Sequence, residues 1–203
     1  NAYLSPMLVP GVMFLFIFIF TAYSIGCELK YERSHEWLKM AGGNIWVALM
    51  GKMLPQMLLS MLMMSAYLIY IYGVMGFPHE GSWMVIFLLG FLSVLAAEGF
   101  GIFMFSLLPS MRMSMSLCSL WAVLSFSMVG TAFPVMAMDP ALETLAWLFP
   151  LRHYFVIYQT SIFSGYSLTY CWVNIACLIA FALLPLPLMG RLKKAMMTFK
   201  YMD

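Results

Sequence analysis

Five long apolar runs, separated by short polar stretches, organise this chain. They cover residues 4–27, 53–77, 84–108, 113–135 and 170–189, each near the roughly 20 residues a helix needs to cross the hydrocarbon core of a bilayer. Strands of a membrane barrel would alternate apolar and polar side chains over about ten positions, and none of these runs does. Lipid satisfies no backbone polar group, so such a run must close its own hydrogen bonds as a helix. The pattern predicts an all-α, polytopic membrane protein with about five spans. Residues 1–203 form a single transmembrane domain with no soluble domain.

Two segments fit neither a span nor a simple loop. Residues 28–40, between the first two runs, gather Glu28, Lys30, Glu32, Arg33, Glu36 and Lys39 around Trp37 and Leu38, which predicts an interfacial helix. Glu28, Glu32 and Glu36 recur every four residues, so on one helix they would line one face as like-charged neighbours. Ala41, Gly42, Gly43 and Asn44 then break the helix. Residues 136–167 hold two apolar pieces too short to span, divided at Phe149 and Pro150. Asp139 followed by Pro140 is an N-cap and first-turn pair, and Ser164-Gly165 ends the second piece. Two short helices forming an outer re-entrant hairpin follow. A plug lining the outer end of a pathway and a surface hairpin fit these residues equally.

Composition narrows the class. Hydrophobic residues make up 64% of the chain and charged ones 9%, where soluble domains carry about 25%. The placement of charge is more informative than its sum. Lys30, Arg33, Lys39 and Lys52 lie between the first two runs, Arg112 between the third and fourth, and Arg191, Lys193, Lys194 and Lys200 after the fifth; only Arg152 falls on the other side. The positive-inside bias puts those loops in the cytoplasm, Asn1 outside and the C-terminus inside, in a bacterial inner membrane. Trp83, Trp147, Tyr166 and Tyr170 near the outer ends, and Trp37 and Tyr201 near the inner ones, suit interfacial belts. Because the chain starts at Asn1 with an apolar run, it reads as the C-terminal part of a longer protein.

Candidate chemistry is sparse. Glu98 is the one acid within a span, beside Ala96, Ala97, Gly99 and Gly101; an ionisable group there is a functional candidate by default, although a structural hydrogen bond is the ordinary alternative. Arg152 and His153 are the other pathway candidates, with surface or headgroup contact as their alternative. The four cysteines show no metal-binding or disulfide spacing, and the 22 methionines come without clustered His or Cys, as expected of apolar filler. A phosphate-binding loop is absent: before Gly51-Lys52 the first glycine is replaced by Trp46, and Met53 follows where Ser or Thr is required.

Several short motifs, in order, resemble those of the type-2 ABC exporter permeases, the membrane subunits of drug, lipid and polysaccharide efflux systems. Tyr3-Leu4-Ser5-Pro6 through Val9-Pro10-Gly11 is similar to the opening of that family's second span, and Glu32-Arg33-Ser34-His35-Glu36-Trp37-Leu38 resembles its cytoplasmic E-R-G-T-x-E-x-L element, with Ser34 and His35 in place of Gly and Thr. Gly51-Lys52-Met53-Leu54-Pro55 resembles the G-K-x-x-P that opens the third span. Gly130-Thr131-Ala132-Phe133-Pro134 is similar to the end of the fifth, and Phe149-Pro150-Leu151-Arg152-His153-Tyr154 with Phe163-Ser164-Gly165 resembles the outer hairpin.

The resemblance implies a half-transporter lacking its first helix and extracytoplasmic domain. A second permease copy or a paralogue would complete the pathway. A separate ABC ATP-binding subunit, carrying ATP and Mg, would dock on the coupling element at Glu28, Glu32, Arg33, Glu36 and Trp37. This chain itself would hold no cofactor and catalyse no reaction. An intramembrane enzyme using Glu98 and His153, a passive metal or ion channel, and a permease-like sensor are the alternatives.

Overall fold

A computed structural model of the chain describes residues 5–130 and 139–198. Most of the described residues are helical, and none of them forms a strand. In order they form α1 (Ser5–Lys30), α2 (Ser34–Met40), α3 (Ile45–Leu68), α4 (Trp83–Leu107), α5 (Met111–Met128), α6 (Pro140–Ala146), α7 (Pro150–Ile157), α8 (Trp172–Leu183) and α9 (Met189–Thr198). Wider π turns prolong α3 through Ile69–Val74 and α7 through Tyr158–Phe163.

Four stretches are long and apolar enough to cross a membrane: Ser5–Lys30, Ile45–Val74, Trp83–Leu107 and Leu168–Thr198. The remaining expected span is α5. Its described part is 18 residues with Arg112 and five serines, and the run expected to complete it, through residue 135, lies largely outside the described residues.

Helix α4 is the hub. Of its most apolar stretch 61% is buried, against 22% for Ile45–Val74 and 17% for Leu168–Thr198. Glycines let three neighbours approach on different sides. A Cβ on Gly90 would stand 3.0 Å from Leu68 of α3, one on Gly101 2.8 Å from Thr21 of α1, and one on Gly99 2.6 Å from the Phe181 and Ala182 carbonyls of α8. Close backbone approach through small residues is how helices associate where lipid supplies no hydrophobic drive. Helix α5 runs antiparallel to α1, with Phe126 over Gly11 at one end and Met111 over Gly26 at the other.

Prolines open places where a helix must find substitute partners. Pro10 lacks the N–H that would reach the Pro6 carbonyl, and the Tyr154 hydroxyl of α7 donates to that carbonyl instead, at 3.2 Å. At the other end of the chain, Pro185 and Pro187 interrupt the fifth apolar run, so the single helix expected over 170–189 becomes α8, a 3-10 turn at Leu186–Leu188, and α9. Helix α9 is amphipathic and buries Met189, Leu192, Ala195 and Met196.

Two further expectations change. Helix α3 begins at Ile45, well before residue 53, because Asn44 caps it by accepting from the Trp46 N–H (3.0 Å) and Lys52, inside the helix, is neutralised by Glu28. The expected pair of short helices does form, Asp139 capping α6 through the Ala141 N–H at 2.9 Å. It is not a surface hairpin. Helix α6 buries only Ala146, whereas α7 is enclosed by α1, α4, α5 and α8 and buries Pro150, Leu151, Arg152, His153, Tyr154, Phe155 and Ile157.

A Gly99→Ala substitution places its methyl group against backbone, which cannot rotate away, and should destabilise the protein by about 1–3 kcal/mol. The same change at Gly51, where nothing stands within 4 Å, should be neutral or slightly stabilising. Thermal unfolding of the two variants in mild detergent makes the comparison.

Candidate functional site

One end of the bundle carries nearly all the described cations. Lys30, Arg33, Lys39, Lys52, Arg112, Arg191, Lys193 and Lys194 lie there with α2 and α9; Arg152 alone among the described residues lies at the other. At the basic end, α2 rests on a compact apolar cluster formed by Ile25 and Leu29 of α1, Leu38 of α2, Ile45, Leu49 and Met53 of α3, Phe105 of α4, and Met189, Leu192 and Met196 of α9. A His35 ring nitrogen meets the Met197 carbonyl at 3.2 Å, tying α2 to α9. Arg191 donates to the Leu107 carbonyl at 3.3 Å, tying α9 to the end of α4. The short helix is thus seated on a cluster that α1, α3, α4 and α9 share.

The three regularly spaced glutamates do not share a helical face. Helix α1 ends at Lys30, Glu32 adopts a left-handed conformation (φ 54°), and α2 starts afresh at Ser34. Glu28 therefore belongs to α1, where its carboxylate pairs with Lys52, and the Lys52 ammonium also stands 5.5 Å from the Trp37 ring centre. Glu32, Arg33, Glu36 and Lys39 remain exposed, while Ser34 and Leu38 face inward and Trp37 is half-buried. The substitution of Ser34 for a glycine leaves the helix intact, because the left-handed residue is Glu32.

Within the membrane, Glu98 is 5% exposed, and one carboxyl oxygen has no hydrogen-bond partner among the described residues. It borders a cavity of about 210 Å³ between α3, α4 and the break after α8. The other acidic or basic candidates of the interior are occupied differently. Both His153 ring nitrogens are taken, by Asn174 Oδ1 and the Trp147 carbonyl, each at 2.9 Å, and the ring is wholly buried. Arg152 lies 5.7 Å from the Trp147 ring centre and is 8% exposed, with one terminal nitrogen unpaired among the described residues. Glu98 and His153 thus lie in different surroundings, and His153 does not line the Glu98 cavity. The clustered methionines also point apart: Met64 is buried, Met61 half-buried and Met63 exposed.

A larger cavity went unforeseen. About 740 Å³ opens between α1 and α3, walled by Phe16, Phe20, Tyr23, Leu59 and Met63, with Gln56 and Lys52 on its rim. Its size lies within the range of small-molecule sites. Gln56 also bridges the two helices, donating to the Thr21 hydroxyl at 2.7 Å. The one advance signal was an amide inside an apolar run, a polar group that must find a partner there.

The comparisons with known proteins fit this architecture. Searches of curated proteins and of solved structures gave no match. The family model for ABC-2 family transporter proteins matches residues 1–190. The chain therefore belongs to the ABC-2 transporter family, as a multi-pass membrane permease.

Proposed function

We propose that this chain is the permease half of an ATP-driven exporter: it forms part of the substrate pathway, and a separate ABC ATP-binding subunit drives it from the basic end. Support comes above all from α2. Its outer side offers Glu32, Arg33 and Glu36 to a partner, while its inner side rests on a cluster shared by α1, α3, α4 and α9. A partner that closes on ATP and presses on α2 has a rigid route into the spans, which is what coupling between distinct sites requires. ATP and Mg belong to that partner, and this chain contributes no catalytic group.

The basic end faces the cytoplasm under the positive-inside rule, placing Ser5 and α6–α7 at the outer face of a bacterial inner membrane. A second copy of the chain, or a paralogue, completes the pathway; the exposed apolar side of α3, with Leu58, Leu59 and Leu62 each more than half exposed, is available to it or to lipid. Of the pathway candidates, Glu98 has a carboxyl oxygen unpaired among the described residues and lines a cavity, whereas both ring nitrogens of His153 are engaged and Arg152 lies over the Trp147 ring.

Three measurements bear on this reading. Glu32→Lys with Glu36→Lys should lower ATP-coupled export at least fivefold, and weaken co-purification of the ATP-binding subunit, with thermal stability unchanged; wild-type export from the double variant would refute the coupling role. Glu28→Gln acts on stability instead, at about 1 kcal/mol, because its carboxylate is paired within the chain. For orientation, single cysteines at Glu32 and Tyr166 are introduced after the four native cysteines are replaced by alanine. In intact cells a membrane-impermeant maleimide should label position 166, and position 32 only after permeabilisation.

A further inference from the structure

Glu98 combines three properties that a purely structural acid does not. It is 95% removed from solvent, its Oε1 is buried with no hydrogen-bond partner among the described residues, and the residue lines a recess between α3, α4 and the break after α8. A buried carboxyl left without a partner is costly, so a site that keeps one beside a cavity calls for a ligand. The walls are otherwise apolar, with Leu49, Met53, Met57 and Ile102 among them, and no Lys, Arg or His lines the space.

A second hydrogen-bond acceptor lies next to Glu98. Pro185 has no N–H, so the Phe181 carbonyl, which lies against Gly99 next to Glu98, receives only a long contact of 3.4 Å from the Leu184 N–H. An apolar recess whose one ionisable side chain is an acid selects a donor that carries positive charge on a hydrophobic body. It disfavours hard metal cations, which need several oxygen ligands. It also disfavours zwitterionic lipid headgroups, whose phosphate it would repel.

Access is lateral. Trp46, Met50 and Leu54 on α3 and Leu186 beyond α8 line the cavity and are 43–60% exposed, so the recess opens between α3 and α8 towards the membrane. At about 210 Å³ it is smaller than sites that enclose a drug-sized molecule, which suits the amine-bearing end of a ligand whose remainder stays in lipid.

We infer that this recess binds lipophilic monoamines entering from the membrane, with the protonated amine held by the Glu98 carboxylate. That the bound amine is cargo rests on the permease role proposed above; the binding itself does not.

The test uses the full-length protein in mild detergent, without the ATP-binding subunit, and equilibrium dialysis against naphthylethylamine and its uncharged N-acetyl derivative. The amine should bind saturably and at least tenfold more tightly than the derivative. Glu98→Gln should remove that preference, and Glu98→Asp should restore part of it. Met57→Trp, which fills the recess and leaves the carboxyl in place, should weaken amine binding at least tenfold and carries the test if the Gln variant fails to fold. Equal binding of amine and derivative, unchanged binding by Glu98→Gln, or displacement of the amine by equimolar phosphatidylethanolamine would each overturn the inference. Because no ATPase is present, loss of ATP-coupled export leaves this result standing, and absence of amine binding leaves the permease role standing.

Discussion

The architecture depends on how closely other backbones approach α4. In lipid, burying an apolar side chain against another helix gains little over burying it in acyl chains, so association rests on shape and on satisfied polar groups. Gly90, Gly99 and Gly101 remove side chains where α3, α8 and α1 meet α4, and the approach at Gly99 reaches the carbonyls of α8. Three neighbours are thereby fixed around one axis. Their separation determines what remains open: α3 and α8 both lean on α4 and leave between them the recess that Glu98 borders. The acid and the glycine beside it are parts of one arrangement, since the contact that brings α8 close also brings the proline-broken end of that helix alongside the carboxyl.

The two ends of the molecule solve a common problem in different ways. Each must turn the chain at the membrane boundary without stranding backbone groups. At the end opposite the basic one the solution is hydrogen bonding by long-range partners: Tyr154 supplies the Pro6 carbonyl, Tyr67 donates to the Ser5 carbonyl at 2.8 Å, and the N–H groups of Glu80 and Gly81 reach the Ile162 carbonyl at 2.9 and 3.1 Å. At the basic end the solution is a second apolar cluster, separate from the main core, to which α2 contributes Leu38 and α9 contributes Met189, Leu192 and Met196. The end opposite the basic one is pinned by directional bonds, to α7 and its extension and between α3 and α1, and the basic end is held by packing. Under the proposed coupling, that difference allows α2 and its cluster to move as a unit while the opposite end resists.

Membership in the ABC-2 transporter family agrees with this division of labour, because the family match runs from the first residue through the start of α9 and so includes both α2 and α7. The basic end holds α2 on its apolar cluster, two cavities lie along α3, one of them lined by a carboxyl with an oxygen unpaired among the described residues, and the opposite end holds a helix enclosed by its neighbours.

Much of this was legible in the residues because membrane insertion writes its requirements locally. Length and apolarity mark a span, Lys and Arg mark one side, and Asp139-Pro140 and Asn44 mark helix starts, each decided within a few residues of chain. The family motifs were readable for the same reason. What the sequence could not decide were matters of company. The regular spacing of Glu28, Glu32 and Glu36 implied one face, but Lys52, distant in sequence, draws Glu28 to α3, and the left-handed turn at Glu32 separates the others. The α7 residues read equally as surface or interior until four helices were seen around them. Glu98 was conspicuous as the acid of an apolar run; that it borders a cavity, with an oxygen unpaired among the described residues, depends on where α3 and α8 come to rest against α4. Local chemistry sets which segments are helices and which end is basic. Pairing and cavities arise from contacts between helices far apart in sequence, and only the tertiary structure supplies them.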